Sequence, residues 1–157
     1  MEIERKFLVK GDYKREAYSY AHIVQGYICS DPERVVRVRL QGDAGFLTIK
    51  GATDDTGMSR YEWEKKLTQT EAEELLQLCE PHTMIEKVRY YVIGNTHTFE
   101  VDEFKRDNEG LTVAEVELLY PDETIDLPSF IGKEITGDSR YYNSQLARYP
   151  YNTWKRS

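Results

Sequence analysis

At 157 residues, the chain is long enough to bury a core without disulfide or metal staples, and 28 Asp+Glu against 21 Lys+Arg leave it acidic by 7 charges. Hydrophobic residues at 39%, with 12 Tyr and 2 Trp, exclude a disordered chain, and the acidic balance disfavours coating of nucleic acid. Two cysteines, Cys29 and Cys79, show neither metal-ligand spacing nor a disulfide framework.

Early charge at Glu2, Glu4, Arg5 and Lys6 argues against a secretory leader, and no apolar run approaches the ~20 residues of a membrane span. The expectation is a reduced, cytoplasmic protein without membrane partners, with residues 1–157 forming one domain.

In chain order the first segment is EIERKFLV, whose alternation sets Glu2, Glu4, Lys6 and Leu8 on one face and Ile3, Arg5, Phe7 and Val9 on the other. Further strand patterns follow at HIVQGYIC (22–29), VVRVRLQG (35–42), GFLTIKG (45–51) and SRYEWEKKL (59–67). MIEKVRYYVIG (84–94), HTFEVDEFK (97–105) and LTVAEVELLY (111–120) complete eight, with Gly-, Asn- and Asp-rich turns between most of them. QTEAEELLQLC (69–79) has helical spacing, with Thr70 and Glu73 set as a capping box. SRYYNSQLARY (139–149) reads as a second helix that Pro150 stops. Eight strands joined by hairpin-length turns suit an α+β fold built on an eight-stranded antiparallel β-barrel.

The polar faces of these strands are segregated by sign. Arg37 and Arg39 share a face, as do Lys87 and Arg89; Lys50 joins Thr48. Acidic pairs stand at Glu62 and Glu64, Glu100 and Asp102, and Glu115 and Glu117. A half-buried sheet with one wet face is the ordinary cause of alternation. Like charges side by side repel, however, and each acidic strand then needs a basic neighbour or a bound ligand. Turned inward, the set lines a tunnel of carboxylates and cations, with the apolar faces packed outside. Arg and Lys suit phosphoryl oxygens, and carboxylates suit Mg²⁺ or Mn²⁺.

The N-terminal Glu2, Glu4 and Lys6 make an ExExK signature. In order after it come QGYI (25–28), RVRL (37–40), LTIKG (47–51), YEWE (61–64), EKVRY (86–90), VDEF (101–104), AEVEL (114–118) and GKEITGDSRYYNSQLA (132–147). The chain thereby resembles the CYTH domain, or triphosphate tunnel metalloenzymes, along essentially its whole length. The resemblance implies an eight-stranded tunnel acting on triphosphate-bearing small molecules with a divalent metal, Mg²⁺ or Mn²⁺, as two ions. It implies Glu2, Glu4, Asp102, Glu115 and Glu117 as metal ligands. It implies Arg37, Arg39, Lys50, Lys87 and Arg89 as phosphate-binding residues, with Lys6 touching phosphate and acting with Tyr27 in catalysis. Tyr27 matches a family proton acceptor, and Lys6 nearby would lower its pKa. Glu62 and Glu64 take a supporting role, Glu100 pairs or binds metal, and Arg140 belongs to a segment like the family's plug helix.

Hydrolysis of inorganic triphosphate is the leading expectation, since nothing appended to the tunnel would recognise a base or a vitamin ring. A class IV adenylate cyclase, a thiamine triphosphatase and a non-catalytic triphosphate or polyphosphate binder stay open as alternatives, as does a homodimer.

Overall fold

In the computed structural model, residues 1–154 are described. Ten strands form: β1 (Glu2–Val9), β2 (Ala17–Cys29), β3 (Arg34–Gln41), β4 (Ala44–Gly51), β5 (Ser59–Arg60), β6 (Glu62–Leu67), β7 (Ile85–Ile93), β8 (Thr98–Phe104), β9 (Thr112–Glu117) and β10 (Ile131–Glu134). Two α-helices accompany them, α1 (Gln69–Leu76) and α2 (Asn143–Arg148). The sheet runs β10-β1-β9-β8-β7-β2-β3-β4-β6, and β5 pairs with β1. Its ladders are antiparallel throughout, as expected of hairpin-length connections.

The expected closed barrel of eight strands is corrected in two ways. The segment 59–67 breaks at Tyr61, so β5 leaves β6 and pairs with β1 through Glu2–Arg60 and Ile3–Ser59. The short IGKE strand, too brief to show a period, adds β10 beside β1. The hydrogen-bonded path stays open between β6 and β1, with β5 lying in the seam.

The N-cap of helix α1 stands two residues earlier than expected. Thr68, not Thr70, accepts from the Glu71 amide while Glu71 accepts from the Thr68 amide. Both threonines stand three residues before a glutamate, and the one nearest the end of β6 wins because the chain must turn there. The helix rests on the sheet through Ala72, which is fully buried, and a Cβ at Gly45 would come within 2.7 Å of the Ala72 methyl. Segment 139–149 is less regular than expected: a 3₁₀ turn at Ser139–Tyr141 precedes α2.

Two apolar clusters hold the sheet. On its outer face Phe7, Phe99, Val101, Ala114 and Val116 pack under Tyr13, Phe130 and Ile131. The second cluster lies on the inner face. The inward series on β1, β2, β3, β7, β8 and β9 end in Leu8, Tyr27, Val35, Ile85, Phe104 and Val113, which pack with Ile135, Tyr141, Leu146 and Ala147. The expectation that every apolar face packs outward therefore fails at one end. There the interior is a greasy floor that the C-terminal segment covers, each large buried side chain contributing about 1.5–3 kcal/mol.

Candidate active site

Above that floor the same inward series carry charge. The resulting cavity, of about 280 Å³, is lined by Glu2, Glu4 and Lys6 of β1, Arg37 and Arg39 of β3, Lys50 of β4, Arg60 of β5 and Glu62 and Glu64 of β6. Lys87 and Arg89 of β7, Glu100 of β8, Glu115 and Glu117 of β9, Tyr27, Val35 and residues 142–144 complete it. Period-two alternation aims these side chains inward, and antiparallel register sets Glu4 opposite Glu117 and Lys6 opposite Glu115.

Most of the cations are matched to acids. Lys50 Nζ donates to both Glu2 carboxylate oxygens at 3.0 and 3.2 Å. Lys6 Nζ stands 3.6 Å from Glu4 and 3.8 Å from Glu115. Arg89 Nη1 donates to Glu100 at 3.1 Å. Thr48 Oγ1 receives Arg37 Nη2 at 3.1 Å and donates to Glu64 at 2.7 Å, linking the guanidinium to its supporting carboxylate.

Two arginines are left with donors to spare. Arg37 Nε is buried and has no hydrogen-bond partner among the described residues. Arg39 Nε reaches only Gln25 Oε1, at 3.4 Å, and no carboxylate. Burial, with Arg37 and Arg89 beside it, pulls Arg39 down to about 9, still cationic at neutral pH. A buried N–H without an acceptor costs about 1–3 kcal/mol, and more when charged, so this wall is poised for an anion.

The carboxylates are strained in the opposite sense. Burial first, then Glu115, pushes Glu4 up to about 7. Burial would also raise Glu115, but Lys6 and Arg89 hold it down to about 2. Glu117 is exposed at the rim and makes no ion pair among the described residues. No three acidic, histidine or cysteine side chains converge tightly among the described residues. The donor set nonetheless fits a hard divalent ion. Glu4 and Glu115 crowd each other and share one ammonium, and such ions commonly take one or two carboxylates and complete their shell with substrate phosphate and water.

Asp102 is not brought to the cavity. It is 1% exposed, receives Arg89 Nε at 2.7 Å and Nη2 at 2.9 Å, and pairs with Lys87 Nζ at 2.9 Å. Burial would raise its pKa, yet Arg89 and Lys87 outweigh burial and hold it well below the usual range. Both of its oxygens are engaged by Arg89 and Lys87.

The expected depression of Tyr27 is also corrected. Burial pushes its phenol up, and the cations opposing that are Arg37, Arg39 and Arg60, not Lys6. Gln25 Nε2 donates to its Oη at 2.9 Å, leaving a neutral phenol at the junction of charge and floor. Arg140 turns outward to Asp138 at 2.7 Å and takes no part in the cavity wall.

Sequence reasoning missed Arg60, Gln25, Tyr142 and Asn143. Arg60 shares the parity of Glu62 and Glu64, a signal that was legible. Asn143 Oδ1 accepts from Lys87 at 2.8 Å from outside the sheet, and no strand pattern could have shown that.

A walled cup of alternating acids and bases, with guanidinium donors unspent, defines a protein that grips a compact polyanion. The sequence signature of the CYTH domain matches residues 1–148, and the chain belongs to that family. It is 45% identical to an inorganic triphosphatase of Acetivibrio thermocellus over 155 residues, covering 98% of this chain and 97% of the relative. An inorganic triphosphatase of Nitrosomonas europaea is 35% identical over 150 residues, covering 93% and 96%. A crystal structure of an inorganic triphosphatase superimposes with a TM-score of 0.65 at 32% identity, covering 92% of this chain and 96% of that one. The shared architecture is the antiparallel tunnel fold of that family, with few helices.

Proposed function

We propose that this protein is a metal-dependent hydrolase of inorganic triphosphate, releasing phosphate and leaving pyrophosphate, and that residues 1–157 form one domain. The observation that carries the reading is the pair of arginines, Arg37 and Arg39, that keep donors to spare inside a small, charged cavity: Arg37 Nε has no hydrogen-bond partner among the described residues, and Arg39 meets no carboxylate. The near full-length relatives support it by what they are named. Val35 is the one aliphatic residue in the cavity's otherwise charged, polar and tyrosine lining, which favours a bare phosphate chain over a nucleotide or thiamine ester.

In this reading Arg37, Arg39, Lys50, Lys87 and Arg89 hold the phosphate oxygens in line, and Lys6 neutralises charge that builds on the leaving pyrophosphate. Glu2, Glu4, Glu115 and Glu117 hold Mg²⁺ or Mn²⁺, as two ions. A divalent ion bound there screens the phosphate oxygens and acidifies a coordinated water. Glu62 and Glu64 brace Lys50 and Arg37, while Asp102 and Glu100 brace Lys87 and Arg89. Tyr27, kept neutral by burial, offers a hydrogen bond in place of a base. The test is phosphate release from triphosphate, ATP and thiamine triphosphate with each metal. Pyrophosphate with cyclic nucleotide as the products from ATP, or no turnover of triphosphate, overturns the proposal.

A further inference from the structure

The open sheet leaves a seam between β6 and β1, and Arg60 of β5 sits in it. Its side chain is 13% exposed and faces the cavity. The one acidic neighbour it has among the described residues is Glu2 Oε1, at 3.7 Å, and that carboxylate already receives Lys50 at 3.0 Å. No hydrogen bond to another described side chain or backbone group fixes the guanidinium.

What holds it is an aromatic ring. The Tyr142 ring has Arg60 Cζ 5.6 Å and Lys6 Nζ 5.0 Å from its centroid. Two cations gathered on one half-buried ring repel each other, and the ring's quadrupole is worth about 0.5–2 kcal/mol to each. The carboxylates beside them stand off at 3.6–3.8 Å, Glu4 and Glu115 from Lys6 and Glu2 from Arg60, beyond close hydrogen-bond reach, so donors remain for a further anion. An adjoining crevice of about 10 Å³ is lined by Thr53, Gly57 and Met58 as well as by Glu2, Glu4, Lys6, Arg60 and Tyr142. That crevice is too tight to let the guanidinium withdraw. Loop 52–58 cannot easily recede either. Gly57 and Gly137 both take positive φ, 77° and 81°, and a Cβ at Gly57 would stand 2.4 Å from Gly137 Cα.

We propose that Arg60 is a further phosphate-binding residue, closing the seam of the sheet with a guanidinium that Tyr142 presents to the substrate together with Lys6. Tyr142 is then a positioning residue, acting through Arg60 and Lys6. The inference borrows from the triphosphatase reading only the identity of the anion.

The test is calorimetric titration with sodium triphosphate over a salt series, run beside phosphate-release kinetics, on the wild type, Arg60→Gln, Arg60→Lys and Tyr142→Phe. Losing one charge-assisted contact weakens triphosphate affinity and lowers kcat/KM by about 10- to 100-fold in Arg60→Gln. The salt dependence of affinity becomes shallower, a change that a purely structural arginine would not produce. Arg60→Lys recovers part of the loss, since an ammonium restores charge without the fork. Tyr142→Phe, which keeps the ring, loses less affinity than Tyr142→Ala, and the loss in Tyr142→Ala shrinks when Arg60 is already Gln. Should Arg60→Gln not fold, Arg60→Met keeps the stem and is judged by the same criteria. Affinity within about twofold of wild type and an unchanged salt slope overturn the proposal. Wild-type affinity without phosphate release refutes hydrolysis and leaves the Arg60 criterion standing; no wild-type affinity for triphosphate overturns both.

Discussion

Asp102→Asn separates a brace from a metal ligand. In the native protein one carboxylate neutralises two buried cations, with Arg89 at 2.7 and 2.9 Å and Lys87 at 2.9 Å. Asp102 and Lys87 are each 1% exposed, so solvent cannot replace the lost charge. Breaking a buried pair by removing one partner costs about 3–5 kcal/mol, against a total stability of about 5–15 for a domain. The amide keeps the shape and one acceptor, which places the loss near the lower figure. With a urea slope of about 1–3 kcal/mol/M, the midpoint falls by about 1–3 M at constant slope. Mn²⁺ binding in the presence of triphosphate, read by electron paramagnetic resonance at low urea, stays within a few-fold of wild type. A variant as stable as the parent that no longer binds Mn²⁺ would refute the brace and restore Asp102 to the metal.

Three other outcomes follow from the same geometry. Glu4→Ala abolishes phosphate release while the urea midpoint holds or rises, because it removes a carboxylate that burial and Glu115 push up to about 7; an active variant removes Glu4 from the metal set. Arg39→Ala raises KM and lowers kcat together, since phosphate contacts act in ground and transition states alike, and unchanged steady-state constants would place Arg39 outside the reaction. On the outer surface burial would raise Glu103, but Lys105, Tyr13 and Lys14 hold it down to about 2. Its stabilisation is present above the ordinary 4.5 and disappears as pH falls towards about 2, so Glu103→Gln flattens the acid limb of urea stability. The effect is about 1 kcal/mol at most after solvent screening, and an unaltered limb counts against the cluster.

Alternation made most of the wall legible in the sequence. A period of two assigns Glu2, Glu4 and Lys6 to one face whatever that face meets, and the sign-segregated pairs on β3, β7 and β9 indicate that it turns inward. Roles were less legible than positions. Asp102 and Glu115 occupy similar acidic pairs, yet register sets Asp102 opposite Arg89, whose fork takes both its oxygens, and sets Glu115 opposite Lys6. That difference is one of pairing between strands distant in sequence. The apolar floor was hidden for a related reason. Leu8, Ile85, Phe104 and Val113 continue the charged series by parity, but only the docking of Tyr141 and Leu146 from the C-terminal segment shows why charge stops there. Capping chemistry was right in kind and displaced by one T-x-x-E register.

The charge of the cavity bears on why acids are needed at a site for an anion. Its lining holds seven carboxylates and seven cations, so the cup as a whole is close to neutral. A wall built only of those cations would grip triphosphate harder, but like charges on neighbouring strands would repel in the folded cup. The carboxylates remove that repulsion in the empty cup. They cannot remain partners to the same cations once a polyanion arrives, because Lys6 and Lys50 must then choose between phosphate and Glu4, Glu115 or Glu2. Carboxylates released in this way face added negative charge and need a cation that enters with the substrate. Binding of triphosphate and binding of divalent metal are therefore coupled by the folding requirement itself, and affinity for either alone falls well short of affinity for the pair.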